Sequence, residues 1–239
     1  MTWRWRICFS LLLAWPVVAA TVSGSVRLVD SRVAAVRKHQ DYSGVVVWLE
    51  PVNPDSPVAP AAPARAGMEQ KDKQFAPHVL AIEAGTAVSF PNSDPIFHSV
   101  FSNFSGQIFD LGLYPPGSTR KIVFTRTGIV RIFCNIHPSM SAIIVVLKYP
   151  WFATSNAAGD FSIAGVPPGD YYLNVFHERA AESTLQALRR RIVVGAAKVD
   201  LAAMAVSETG YVEVPHKDKY GQDYPPPSRD TVGYPAGNR

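Results

Sequence analysis

Residues 129–147, IVRIFCNIHPSMSAIIVVL, hold two apolar runs separated by a short loop. The first, 129–134, is rich in β-branched and aromatic residues, which favour a strand. The second, 142–147, is apolar at every position; without alternation it fits a strand covered on both faces. Cys134, His137 and Met140 stand at offsets of zero, three and six in the connection. A thiol, an imidazole and a thioether can therefore converge from one loop between strands.

Upstream, residues 79–83, 87–90 and 121–125 are further strand candidates, set apart by Gly, Pro, Asn and Asp. Short strands with turn signals between them, and no sustained helical period, predict an all-β fold. Towards the N-terminus, 21–30 and 44–50 read as strands, and the Pro- and Ala-rich stretch 51–67 reads as a stiff linker or long surface loop. Beyond 148, the turns Asn156-Ala157-Ala158-Gly159-Asp160 and Val166-Pro167-Pro168-Gly169-Asp170 bound alternating residues in a hairpin pattern. Residues 182–191 suit a short helix, while 191–194 and 199–203 suit final strands. From 207 onward the chain is polar and rich in Pro, Gly and Tyr, which predicts a disordered tail.

The 239 residues are 47% hydrophobic and 18% charged, a balance that excludes a disordered chain, and no apolar run suits a polytopic membrane protein. Residues 1–20 place Arg4 and Arg6 before an apolar stretch that ends in Val18-Ala19-Ala20, the pattern of a cleaved secretory signal. An uncleaved anchor is the alternative. Cys8 stands at the start of the apolar stretch rather than its end, which argues against lipidation. Cleavage removes Arg4, Arg6 and Cys8 and takes the formal net charge from +4 to +2. So neutral a chain offers nucleic acid no basic surface beyond Arg189-Arg190-Arg191, which reads as a solvated face. Cys134 is left as a lone thiol in an exported protein, where oxidising conditions favour paired cysteines. Its partner is then something other than a thiol.

His98 supplies a second imidazole, expected in a turn between strands after Phe90-Pro91-Asn92-Ser93-Asp94-Pro95-Ile96-Phe97. Two imidazoles, a thiolate and a weak axial thioether form the ligand set of a mononuclear electron-transfer copper site. Imidazole serves Cu(II) and soft sulfur serves Cu(I), so a mixed set holds both oxidation states. Zinc in a structural site more usually takes additional Cys or His and no Met. Met140 alone would be ordinary core filler; its spacing from His137 favours the ligand reading. Asn92 and Ser99 are candidates for holding the ligand loop by hydrogen bonds, with a plain turn residue the equal reading for Asn92. His39, His78, His177 and His216 read as ordinary surface or core residues.

Residues 68–148 resemble a small cupredoxin of the plastocyanin and amicyanin type. The likeness is carried by FPNSD at 90–94, HSVFS at 98–102 and CNIH at 134–137, which are similar to bacterial periplasmic proteins labelled methylamine utilization or plastocyanin-like proteins. The resemblance implies a Greek-key β-sandwich in which His98, Cys134 and His137 are equatorial ligands of one type 1 copper and Met140 is axial. Residues 149–205 resemble the second half of a carboxypeptidase-regulatory-like sandwich of immunoglobulin or transthyretin type, on 154–169 and 171–175. Residues 21–53 resemble its opening strands, on Gly24-Ser25-Val26 and 45–51. Neither half has strands enough to cover a core alone, so the expected arrangement is a cupredoxin inserted within a split sandwich. The chain then divides into a signal at 1–20, N-terminal strands at 21–53, a linker at 54–67, the copper domain at 68–148, the second strand group at 149–205 and a disordered tail at 206–239.

This reading predicts periplasmic transfer of single electrons between redox proteins that meet the His137 face transiently, with Ile96, Phe97 and Pro138 as apolar contacts. No enzyme is expected, and the resemblance of the second sandwich implies no peptidase, since that module is an accessory in such enzymes and no zinc-protease motif such as HExxH is present. No nucleic acid and no stable membrane insertion after signal cleavage are expected either. The rival readings are a copper-delivery protein that does not cycle its metal, and a structural β-sandwich protein with a degenerate site.

Overall fold

The computed structural model describes residues 19–55, 64–103, 106–212 and 215–225. The expected signal thus lies almost wholly outside the described residues, as do the middle of the linker and the end of the tail. Strand β1 (Ala20–Val29), helix α1 (Ala34–His39) and strand β2 (Val46–Pro51) come first. Next are β3 (Arg65–Gly67), β4 (Glu69–Lys71), β5 (Gln74–Ala76), β6 (Val79–Glu83), β7 (Thr86–Pro91) and β8 (His98–Ser102), then β9 (Phe109–Tyr114), β10 (Thr119–Phe124), β11 (Gly128–Phe133) and β12 (Ser141–Leu147). The remaining elements are β13 (Phe152–Thr154), β14 (Asp160–Val166), β15 (Gly169–Phe176), α2 (Glu182–Leu188), β16 (Arg190–Val194), β17 (Val199–Asp200) and β18 (Met204–Ser207).

The fold is all-β apart from the two short helices. Helix α1 and strands β3, β4, β5, β8, β9, β13 and β18 have no counterpart in the sequence reading, and β3, which pairs with β7, falls in the expected linker. Helix α1 lacks a capping side-chain bond and any acid in its first turn, and is held instead by Val36 buried against the core. Strand β9 carries Gly112 at φ 71°, which breaks the run of apolar residues that would advertise it.

The central block is a sandwich. One sheet has the order β10-β7-β3 and the other β6-β12-β11-β8-β9, so the chain crosses repeatedly from sheet to sheet. Phe90, Tyr114, Phe124, Ile132, Ile144 and their neighbours fill the space between them, and Cys134 and Met140 belong to that same buried cluster. A second sandwich draws its strands from both ends of the chain. Its sheets have the orders β14-β1-β17, with β18 also on β1, and β13-β2-β15-β16. Val26, Leu49, Ile163 and Leu173 lie in its core. The turn before β14 requires glycine: Gly159 has φ 88°, and a Cβ there would fall 2.1 Å from the Val26 carbonyl oxygen.

Strand β12 explains its own sequence. Ala142, Ile144 and Val146 join the central core, whereas Ile143, Val145 and Leu147 form a separate buried cluster with Val46, packed against Trp48 and Phe176 of the second sandwich. The Ile, Val and Leu side chains among them each gain roughly 1.5–3 kcal/mol from leaving water. The missing alternation is thus the signature of a strand shared by a core and an inter-sandwich interface.

Candidate metal centre

Strands β11 and β12 are antiparallel neighbours with Phe133 opposite Ser141, so residues 134–140 reverse the chain between them. The loop closes on itself: Cys134 N–H donates to the Met140 carbonyl at 3.2 Å and Met140 N–H to the His137 carbonyl at 3.0 Å. On the other side of β11 lies β8, with Phe101 opposite Phe133. His98 is the first residue of β8 rather than a turn residue as expected, because it pairs with Tyr114 of β9. That register carries its ring beneath the loop, fully buried.

His98 Nδ1, His137 Nδ1 and Cys134 Sγ consequently converge. The two nitrogens are 3.1 Å apart, and the sulfur is 3.8 Å from His98 Nδ1 and 3.6 Å from His137 Nδ1. A point equidistant from all three lies about 2 Å from each, which suits a transition-metal ion whose bonds to imidazole and thiolate run at about 2.0–2.3 Å. Among the described residues, these three form the one grouping of His, Cys, Asp and Glu side chains placed to hold an ion. Met140 is wholly buried in the same core cluster as Cys134 and closes the loop through its backbone.

The electrostatics prepare the donors. Burial pushes the Cys134 thiol up, but hydrogen bonds from His137 and His98 outweigh it and bring the value down to about 5. Burial pulls His98 down, and its bonds to Cys134 and Asp94 more than restore it, so the net shift is upward. The two imidazoles thus favour the thiolate form that metal ligation needs.

Asp94 is the site residue that the sequence reading missed. Its Oδ2 accepts the His98 Nε2–H at 2.8 Å, which orients the ring so that Nδ1 faces the other donors. The carboxylate is itself held by the amides of Asp72, at 2.6 Å, and Lys73, at 2.9 Å, in the turn between β4 and β5. Burial raises the Asp94 value, yet these bonds and that of His98 bring it below the ordinary carboxylate range. The available signal was an acid four residues before a candidate ligand, within a Pro-rich turn.

Asn92 and Ser99 both hold the site. Asn92 Nδ2 donates to the Ile96 carbonyl at 2.8 Å and its Oδ1 accepts from Asp94 N–H at 3.1 Å, so it braces the turn that carries Asp94. Ser99 Oγ donates to Cys134 Sγ at 3.7 Å and accepts from Asn135 N–H at 2.7 Å. The tail differs from the disordered segment expected. Residues 215–225 lie against the ligand loop, with the Tyr224 hydroxyl donating to the Cys134 carbonyl at 2.7 Å. Of the histidines given an ordinary reading, His177 is buried against Glu208 and His78 pairs with Glu178, both away from the cluster.

Fold and donor set together make the central block cupredoxin-like. No family model matches the chain. It is 37% identical over 60 residues to the methylamine utilization protein MauL of Methylorubrum extorquens, a match that takes in 25% of this chain and 53% of that protein. The chain thus spans about half the length of the curated relative it matches. Among solved structures it is similar to a purple cupredoxin from Nitrosopumilus maritimus, at 22% identity over 34% of this chain and 99% of the other, with a TM-score of 0.32. It is also similar to a Cu-containing nitrite reductase from Thermus scotoductus, at 28% identity over 41% of this chain and 25% of that one, TM-score 0.33. A reduced Cu(I) form of an amicyanin variant matches at 18% identity over 36% of this chain and 86% of its own, TM-score 0.33.

Proposed function

We propose that the protein carries single electrons between redox partners in the periplasm through one copper ion held by His98, Cys134, His137 and Met140, without catalysing a reaction of its own. The observation that carries this reading is the convergence of a thiolate and two imidazole nitrogens around a common point. When bound, copper supplies a one-electron couple that soft sulfur and imidazole donors can hold in both oxidation states. The chain's own part is to keep those donors in place: β8 and the β11–β12 loop fix the rings and the thiolate, and the core excludes water from Cys134 and His98. His137 is half-buried, with Phe97 at 50% and Ile136 at 44% exposure and Pro138 exposed nearby. That rim suits brief contact with a partner protein. Among the described residues no helix is long and apolar enough to cross a membrane. We assign the second sandwich as a carboxypeptidase-regulatory-like accessory module, a reading supported by its two sheets packed over one core.

The test is a visible absorption spectrum of the copper-reconstituted full chain, with voltammetry of the same sample. Intense thiolate-to-copper absorption and a reversible one-electron wave are expected, both abolished in Cys134→Ala and strongly altered in His98→Ala. A colourless complex whose copper exchanges rapidly with a chelator would overturn electron transfer in favour of delivery.

A further inference from the structure

We propose that residues 215–224 form a strap that positions the Cys134 ligand from outside the metal site, with the Tyr224 hydroxyl and the Lys219 backbone amide as its two grips. The proposal rests on the copper reading above and deepens it. The strap is shaped by Asp218: its Oδ1 accepts the amides of Tyr220 at 2.9 Å and Gln222 at 2.8 Å, and its carbonyl accepts Gly221 N–H at 3.0 Å. This turn presents Lys219 N–H to Asn135 Oδ1 at 2.9 Å and Lys219 Nζ to Asp110 at 2.8 Å. On the far side, the ring of His216 stacks on Phe133, with centroids 4.2 Å apart and planes 27° apart, and Tyr224 meets His216 edge-on at 5.1 Å. His216 Nδ1 faces the Lys217 carbonyl at 3.1 Å and the Tyr224 oxygen at 3.2 Å, so it donates and the tyrosine is left to spend its own proton on Cys134.

The consequence falls on one residue. Inside the loop, Cys134 N–H is held by the Met140 carbonyl at 3.2 Å. Outside it, the Cys134 carbonyl is held by the Tyr224 hydroxyl at 2.7 Å. The next residue is gripped in the same way, its amide by Ser99 Oγ at 2.7 Å and its side chain by the Lys219 amide. With both backbone groups of Cys134 fixed, so is the direction of its Cα–Cβ bond, and with it the place of the sulfur. Ligands held by such outer bonds keep a geometry that ligands free to swing do not. Tyr224 touches no metal and acts only through the backbone, so it is a positioning residue.

The experiment uses the full chain and its Tyr224→Phe variant, with a chain ending at residue 214 as the stronger perturbation and Lys219→Ala, which keeps the amide, as the control. Copper release to a chelator, the thiolate-to-copper absorption, the unfolding midpoint and, in metal-free protein, the rate of Cys134 alkylation by iodoacetamide are all measured. Loss of one hydrogen bond predicts release and alkylation about 2- to 10-fold faster in Tyr224→Phe, with a shifted absorption band and an unchanged midpoint. Lys219→Ala should match the wild type. Equal spectra, release and alkylation in wild type and Tyr224→Phe would overturn the strap, as would changes that merely track a lowered midpoint. A wild-type chain without the band, but with strap-dependent alkylation, would overturn the copper reading and leave the strap standing.

Discussion

Each sandwich buries one histidine against a carboxylate at the same distance, and the two pairs do different things. In the central block His98 bonds Asp94 at 2.8 Å; in the companion His177 bonds Glu208 at 2.8 Å. Asp94 is steadied by two backbone amides, and the other nitrogen of His98 looks at a thiolate and a second imidazole. Glu208 is steadied by Arg179 at 3.0 Å and Ser31 at 2.6 Å, and the other nitrogen of His177 has no hydrogen-bond partner among the described residues. The protonation preferences diverge accordingly. His98 is raised, because bonds to Cys134 and Asp94 outweigh its burial. His177 is lowered by burial, with Arg179 adding to the effect despite the Glu208 bond. A buried His–carboxylate pair is therefore not a site in itself; the groups beyond its second nitrogen decide whether it orients a ligand or closes a core.

The comparison breaks most visibly on the companion side. Glu208→Ala leaves Arg179 and His177 without their shared acceptor and should lower unfolding free energy by about 3–5 kcal/mol, read from urea denaturation, with the copper spectrum unchanged. A stable variant with an altered copper spectrum would mean that the two pairs are coupled. The mirror experiment is Asp94→Asn. It removes the carboxylate behind His98 and should weaken copper binding by about 10- to 100-fold in a chelator competition, with a smaller loss of unfolding free energy than in Glu208→Ala. If Asp94→Asn destabilised the fold as strongly as Glu208→Ala while leaving affinity intact, the distinction would fail.

How far the sequence revealed this arrangement differs from residue to residue. Cys134, His137 and Met140 stood out because one strand-loop-strand segment holds all three, and the distance between them is set locally. His98 could be paired with them only through the donor chemistry, since its approach depends on β8 lying next to β11. Asp94 was hidden by its surroundings: in Asn92-Ser93-Asp94-Pro95 an acid looks like turn punctuation, and only the register of β8 with β9 turns His98 toward it. The strap was hidden for a different reason. Its composition is that of a chain unable to build a core, and it is ordered by a few polar bonds and one aromatic stack on a surface made elsewhere. Strand β12 was legible in full because covering both faces leaves a mark on every residue.

A third histidine pair, exposed rather than buried, sharpens the comparison at its weak end. His78, beside β6, donates Nδ1–H to the Ser141 carbonyl at 3.1 Å and Nε2–H to Glu178 of the companion sandwich at 2.8 Å, so the ring carries both protons and ties the two sandwiches. The bond to Glu178 raises His78 above 6.5. Burial lifts Glu178, but its bond to His78 takes it below 4.5 overall. A raised histidine stabilises fully below its unfolded value and loses that contribution as pH rises through its folded value. A depressed carboxylate stabilises above its unfolded value and loses it as pH falls through its folded value. The pair therefore contributes most between about pH 4.5 and 6.5, and because His78 is half-exposed the contribution stays at or below about 1 kcal/mol. The gap in unfolding free energy between wild type and His78→Gln should be present at about pH 5.5 and shrink at about pH 8.5, while the Glu208–His177 pair, common to both chains, cancels from the difference. A gap that is flat with pH, or wider on the alkaline side, would show that this contact is packing rather than charge.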